Sequence, residues 1–171
     1  MRFLFMLLAL AIALYAAKPV HDMTVGNWQS VTESYSPNHT HVVEKESLNL
    51  KADHTFDITI LVNLKKGEHF IKDLEVKASG IWKRHITTLV VVINKIEVPF
   101  AKEVSRTITR RSLEALASTY QAKLKETPIR IYKITYLDEK KLTVVNEKEV
   151  STTYIKFIPK PPAPKTPVKL Q

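Results

Sequence analysis

The chain contains no cysteine, which excludes disulfide bridges, thiolate metal sites, a cysteine nucleophile and a lipid-modified cysteine anchor. It also lacks a Gly-x-Ser-x-Gly segment, which would indicate a serine hydrolase. Beyond the N-terminal region no apolar run could cross a bilayer, since Pro99 and charged residues bound the dense apolar stretch 89–93. No motif specifies a reaction, so we predict that the protein is not an enzyme and holds no cofactor.

The N-terminal region has the composition of a secretory signal. Arg2 supplies a positive charge, and an uninterrupted apolar run follows over residues 3–17. This run is shorter than the roughly 20 residues of a membrane-spanning helix, but it suits the apolar centre of a signal peptide. We therefore predict a signal peptide over residues 1–17, no transmembrane segment after its removal, and a periplasmic or secreted protein. A small exported protein without cysteine is more typical of a bacterial envelope.

Basic residues outnumber acidic ones. The chain has 26 Lys and Arg against 17 Asp and Glu, which gives a formal net charge of +9. Such an excess favours contact with anionic surfaces, such as lipid headgroups or wall polymers. Because no nucleic-acid-binding motif accompanies the charge, we predict no nucleic-acid partner.

Alternation of apolar and polar residues dominates the chain. It is clearest over residues 56–64, where every second residue is apolar, as in a strand with one buried face. Gly67 follows in a turn that allows positive φ, and Gly80 indicates a bend or bulge within its strand. The segment 86–98 is apolar on both faces, so it is covered on both sides or lines a cavity on one. The predicted strands are 26–35, 41–51, 56–64, 70–83, 86–98, 129–137, 142–145 and 150–158.

One predicted helix interrupts this pattern at about residues 103–125. Ser105 or Thr109 is suited to cap its start, and Pro128 prevents its continuation. Apolar residues recur there at helical spacing: Leu113, Leu116, Ala117, Tyr120 and Leu124. Basic residues lie on or beside the opposite face: Arg110, Arg111, Lys123 and Lys125.

Eight predicted strands joined mainly by tight turns indicate an antiparallel meander. Such a sheet has exposed edges unless it closes into a barrel, and eight strands enclose room for side chains or one small ligand. We predict a mainly β fold over residues 18–158, an eight-stranded antiparallel meander barrel with one α-helix inserted before the last three strands. Residues 159–171, which hold five of the nine prolines, are predicted to be an extended, disordered tail.

Four fragments carry a resemblance to a known family: Gly26-Asn27-Trp28, the segment 48–56, Ser79-Gly80-Ile81-Trp82, and the closing segments 132–142 and 153–156. In this order they resemble the lipocalin-like β-barrel domain of exported bacterial proteins. The resemblance implies that His54 replaces a turn glycine in a left-handed conformation. It also implies that Lys156 covers Trp28 in a cation–π contact where an arginine is often found. The inserted helix departs from the family pattern, in which a helix more often follows the barrel.

The barrel interior is the basis of our first functional hypothesis, a binding module for a small apolar or amphipathic ligand. Apolar walls with a few polar groups suit such a site. The side chains expected to point inward and contact the ligand are Phe56, Ile58, Ile60, Val90, Val92 and Tyr132. The alternative is a structural or interaction protein of the cell envelope, with a filled barrel, that contacts anionic partners through its basic helix or tail.

Titratable residues give two further candidates. His39 and His41 share a face if extended, and together with His54 they could bind a metal. No acidic or cysteine ligand is fixed near them by spacing, so we predict no metal site. Three carboxylates could pair as acid and base: Asp53, Asp57 and Asp73. They fall in strands and turns, where such groups are usually solvated, so we predict no catalytic residue among them.

Overall fold

Nine strands and one helix make up residues 22–98 and 101–157, the part of the chain that the computed structural model describes. The predicted signal peptide and the proline-rich tail lie outside these residues. The strands are β1 Gly26–Tyr35, β2 His41–Leu50, β3 Thr55–Lys66, β4 His69–His85, β5 Thr88–Glu97, β6 Glu103–Val104, β7 Ile129–Leu137, β8 Lys141–Asn146 and β9 Ser151–Lys156. Helix α1, Arg110–Glu126, lies between β6 and β7.

Eight of the nine strands form one closed antiparallel barrel. Each barrel strand pairs with the next one along the chain, β5 being followed by β7. Strand β9 closes the ring on β1 through the pairs Trp28↔Lys156 and Gln29↔Ile155. The two-residue strand β6 pairs with the first part of β4, outside the ring. The predicted meander barrel, with a helix before the last three strands, is confirmed.

Helix α1 begins later than the predicted start at residue 103, because Glu103 and Val104 form β6 against β4. Thr109 is the N-cap, and its side-chain oxygen accepts a hydrogen bond from the backbone N–H of Ser112 at 3.2 Å. This bond satisfies one of the free donors of the first helical turn. Ser105 instead lies in the preceding turn, where its backbone N–H donates to the carbonyl of Phe70. Of the two proposed caps, Thr109 is therefore the one used.

The core has two parts. The first fills the barrel, and its most enclosed members include Trp28, Leu50, Phe56, Trp82 and Leu142. The second lies where β3 and β4 extend beyond that interior, and it consists of Val62, Ile71, Leu74 and Val76. The predicted apolar stripe of α1 covers this second cluster with Leu113, Leu116, Tyr120 and Leu124. The helix therefore packs over one end of the barrel.

The end of the barrel away from α1 is closed by the segment that leads into β1. Thr24 is fully buried, and its carbonyl accepts a hydrogen bond from the Trp28 indole N–H at 2.8 Å. The Arg84 guanidinium, at the end of β4, donates to Asp22 at 2.9 Å and to the Thr24 hydroxyl at 3.1 Å. These bonds fix residues 22–24 across this end.

Several local predictions are confirmed. His54 has φ 64° and Gly67 has φ 58°, both in the left-handed region. The pairing of β4 with β5 shifts register between Ser79 and Gly80, which is the predicted irregularity. The Lys156 ammonium lies 5.0 Å from the centre of the Trp28 ring, in the expected cation–π position.

Candidate functional site

A cavity of about 40 Å³ lies inside the barrel, beneath the last turn of α1. Seven of the eight barrel strands contribute to its lining, and Leu124 of α1 contributes from above. A space of this size holds a few water molecules, whereas drug-sized ligands occupy pockets of about 300 Å³ or more. The interior is therefore nearly filled when α1 is in this position.

The cavity wall is mostly apolar. Aliphatic side chains from β3, β4 and β5 form one side, among them Ile58, Val76 and Val91. Leu142 and Val144 of β8 form part of the other side. Such a wall favours apolar contents, because water inside it finds few hydrogen-bonding partners.

Four polar side chains also line the cavity: Glu46, Arg130, Tyr132 and Tyr154. The Tyr154 hydroxyl donates a hydrogen bond to the Glu46 carboxylate at 2.5 Å, joining β9 to β2 across the interior. Arg130 and Tyr132 both come from β7, where they alternate with exposed residues. An apolar cavity with a few convergent polar groups is the usual composition of a small-molecule site.

Burial shifts the proton affinities of this polar group. Loss of solvation raises the pKa of the Glu46 carboxyl, although the Tyr154 hydrogen bond and the nearby Arg130 oppose the rise. Burial also raises the pKa of the Tyr132 phenol, and it raises that of Tyr154 well above its ordinary value. Perturbed groups gathered in a cavity are typical of functional sites, although structural networks produce them too.

Of the six predicted ligand-contacting residues, four line this cavity: Phe56, Ile58, Ile60 and Tyr132. Val90 and Val92 do not, and the expectation that they point inward is corrected. Their neighbours Leu89 and Val91 are the buried, inward residues of β5. Strand β5 is apolar on both faces, so alternation alone cannot decide which set faces the interior.

Val90 and Val92 instead belong to an apolar strip on the outer wall of the barrel. Val92 is paired with Ile81 of β4 and with Ile129 of β7, and Val90 is paired with Ile131. The three isoleucines are 44–54% exposed. Cross-strand contacts among these β-branched side chains support the sheet on its outer face.

The histidines and aspartates of the sequence-based alternatives do not converge. His41 is bonded to Glu33 at 2.6 Å in the β1–β2 hairpin, whereas His54 packs against Trp82 at the other end of the barrel. Within residues 22–98 and 101–157, no three metal-ligating side chains lie close enough together to hold an ion. Asp53 accepts hydrogen bonds from Thr55 in its own turn, and Asp57 forms an ion pair with Lys51.

Among the elements described, no helix has the length and apolarity required to span a bilayer. The described residues define a closed antiparallel β-barrel with a small, mostly apolar cavity beneath a helix. No protein-family model matches the chain, and no curated protein matches it either.

Proposed function

We propose that the protein is an exported, lipocalin-like binding protein that takes a small apolar or amphipathic ligand into its barrel. The observation that carries this proposal is the cavity itself, whose lining comes from seven strands and combines a mostly apolar wall with four polar side chains. Aliphatic walls supply affinity through burial of apolar surface, and a few polar groups orient the ligand.

Helix α1 is the element whose movement would admit a ligand. Leu124 lies on the cavity, and the rest of the apolar stripe rests on the second core cluster. The side chain of Gln121 also donates a hydrogen bond to the carbonyl of Ile96, but this bond is long, at 3.4 Å. Outward displacement of the last turn would enlarge the cavity without breaking a strand pair. The apparent affinity would then be reduced by the fraction of molecules that are closed.

The envelope-contact alternative depends on α1 and on the tail. The tail lies outside the described residues. On α1, Arg110 is paired with Glu114 at 2.9 Å, which partly offsets the positive charge of the exposed face. We therefore place ligand binding first.

Binding of a neutral apolar fluorophore, N-phenyl-1-naphthylamine, tests the proposal directly. The fluorophore should bind the purified chain, and 1-octanol should displace it. Val91→Trp should weaken binding by roughly tenfold or more, because Val91 is an enclosed wall residue and the indole would fill the cavity. Native mass spectrometry of the purified protein should also detect small amphiphiles carried through purification.

Val31→Trp is the matched control, since Val31 is 68% exposed on the outer wall and its replacement should leave binding unchanged. Circular dichroism establishes that both variants fold. Should Val91→Trp not fold, Leu124→Ala provides a second measurement, because it enlarges the cavity under α1 and should strengthen or accelerate binding. Absence of any fluorophore binding by the folded wild-type chain would refute the proposed function.

A further inference from the structure

Arg130 brings a permanent positive charge to a cavity whose wall is mostly apolar. It lies on β7 directly across from Val91 of β5 and is only partly exposed. Among the described residues, no carboxylate oxygen lies within 4.0 Å of its guanidinium nitrogens. A charge removed from water is costly unless it is paired and hydrogen-bonded, so this guanidinium favours an anion at the cavity.

Glu46, the acidic residue on the cavity wall, is near enough to Arg130 to interact with its charge but forms no ion pair with it within 4.0 Å. Its carboxyl group accepts the Tyr154 hydroxyl at 2.5 Å. Loss of solvation also raises its pKa, which favours its neutral form relative to an exposed glutamate. The cavity is consequently left with a cation that is always charged and a carboxyl group already engaged by a phenol.

The chemistry beside Arg130 favours a carboxylate. A guanidinium presents parallel N–H groups that match the two oxygens of a carboxylate. Tyr132 lies two residues further along the same face of β7 and lines the same cavity, so the phenol and the guanidinium belong to one part of the wall. Aliphatic residues, including Ile58, Val76 and Val144, make up much of the remaining wall.

We infer that the ligand is a single-chain amphiphile with a carboxylate head, which Arg130 and Tyr132 bind while the chain lies against the aliphatic wall. This inference rests on the proposed function. The inference specifies that the ligand is anionic, which an apolar cavity alone does not determine.

A matched pair of probes, octanoate and 1-octanol, tests the inference by calorimetry on the full chain. The two share a chain length and differ in the charged head. Wild-type protein should bind octanoate roughly tenfold more tightly than 1-octanol. Arg130→Met should abolish this preference by weakening octanoate binding while leaving 1-octanol binding nearly unchanged.

Arg111→Met is the matched control, because Arg111 is exposed on α1 outside the cavity and its loss should preserve the preference. Should Arg130→Met not fold, Arg130→Gln removes the charge but retains hydrogen-bond donors, and it should lose the preference too. Equal affinity of wild-type protein for both probes would overturn the headgroup inference and leave the proposed function intact. Failure of both probes and of the neutral fluorophore to bind would overturn the proposed function itself.

Discussion

Gly80 lies at a close approach of strands β4 and β5. A Cβ atom at this position would overlap the carbonyl oxygen of Val92 on β5 and touch the ring of Phe56. Any side chain there must push β4 and β5 apart at the register shift, where the backbone has little freedom to move. The packing of β4 against β5 at the predicted irregularity therefore requires a residue without a side chain.

Gly80→Ala should therefore lower the free energy of unfolding by about 1–3 kcal/mol, the usual cost of overpacking. Urea denaturation followed by circular dichroism measures this change. Gly67→Asn is the control, since nothing lies within 4 Å of a Cβ there and asparagine tolerates its φ of 58°. If Gly80→Ala were no more destabilising than Gly67→Asn, the close approach of β4 to β5 would be contradicted.

The Glu46 carboxyl couples stability to pH. Burial raises its pKa above the ordinary value of 4.5, so the folded protein holds this proton more tightly than the unfolded chain does. Its contribution to stability therefore falls as the pH rises from the unfolded-state pKa through the folded-state pKa. Glu46→Gln cannot ionise and escapes this loss.

Relative to wild type, Glu46→Gln should consequently be more stable, with a larger free energy of unfolding, at about pH 7 than at about pH 4. Urea titrations of both proteins at the two pH values measure the difference. Glutamine retains an oxygen that can accept the Tyr154 hydroxyl, so the comparison isolates ionisation. A stability difference that is the same at both pH values would contradict a raised pKa for this carboxyl.

For a strand with polar residues on one face, the sequence predicts which side chains point into the barrel. For a strand that is apolar on both faces, it does not. The alternation in β3 is found as expected, and in β4 the buried residues fall at even spacing: Leu74, Val76, Ala78 and Trp82. In β5 both faces are apolar, so its inward set depends on pairing with Trp82 of β4 and Tyr132 of β7. Sequence alternation contains no information about that pairing.

Three of the four polar cavity residues, Glu46, Arg130 and Tyr154, were missed for a related reason. Glu46 is two residues before Leu48, and Arg130 is two residues before Tyr132, so each shares a face with a residue that points inward. This spacing was the available signal. A charged residue at the end of an alternating segment is more often solvated, and only the closure of the barrel brings β2, β7 and β9 around one space.

Two threonines of α1 should have opposite effects on the helix. Thr109→Ala removes the side-chain acceptor of the N-cap bond to Ser112 and should cost about 1 kcal/mol of stability. Thr119 is exposed within the helix, where its hydroxyl bonds the carbonyl of Ala115. Thr119→Ala should stabilise the protein by about 0.5 kcal/mol, because alanine has the higher helix propensity.

Urea denaturation of the two variants checks this prediction, and Thr109→Ser should retain wild-type stability as a conservative control. Equal effects of Thr109→Ala and Thr119→Ala would show that the first turn of α1 is not fixed by Thr109.

The barrel as a whole depends on the short pairing between its first and last strands. Strand β9 contributes Tyr154 to the core, and within the described residues two register pairs join it to β1. Eight strands were predictable from the alternation, but the degree to which they fill their own interior was not. The volume left inside depends on side-chain packing from all strands and on where α1 rests.

A chain that ends after residue 149 lacks β9, and it should lose cooperative unfolding because β1 and β8 then become unpaired edges. Near-ultraviolet circular dichroism during urea titration follows this loss, with the full chain as reference. A sharp unfolding transition in the shortened chain would indicate that closure is not needed for a unique fold.

The first and last described residues of the barrel, Asp22 and Phe157, lie at the same end. Phe157, just after β9, donates its backbone N–H to the carbonyl of Asn27 at 2.8 Å, and Asp22 is held beside Arg84 at that same end. Helix α1 covers the opposite end. Attaching the barrel at residue 22 or at residue 157 to a membrane, a bead or a neighbouring domain would consequently turn the end covered by α1 towards open solution.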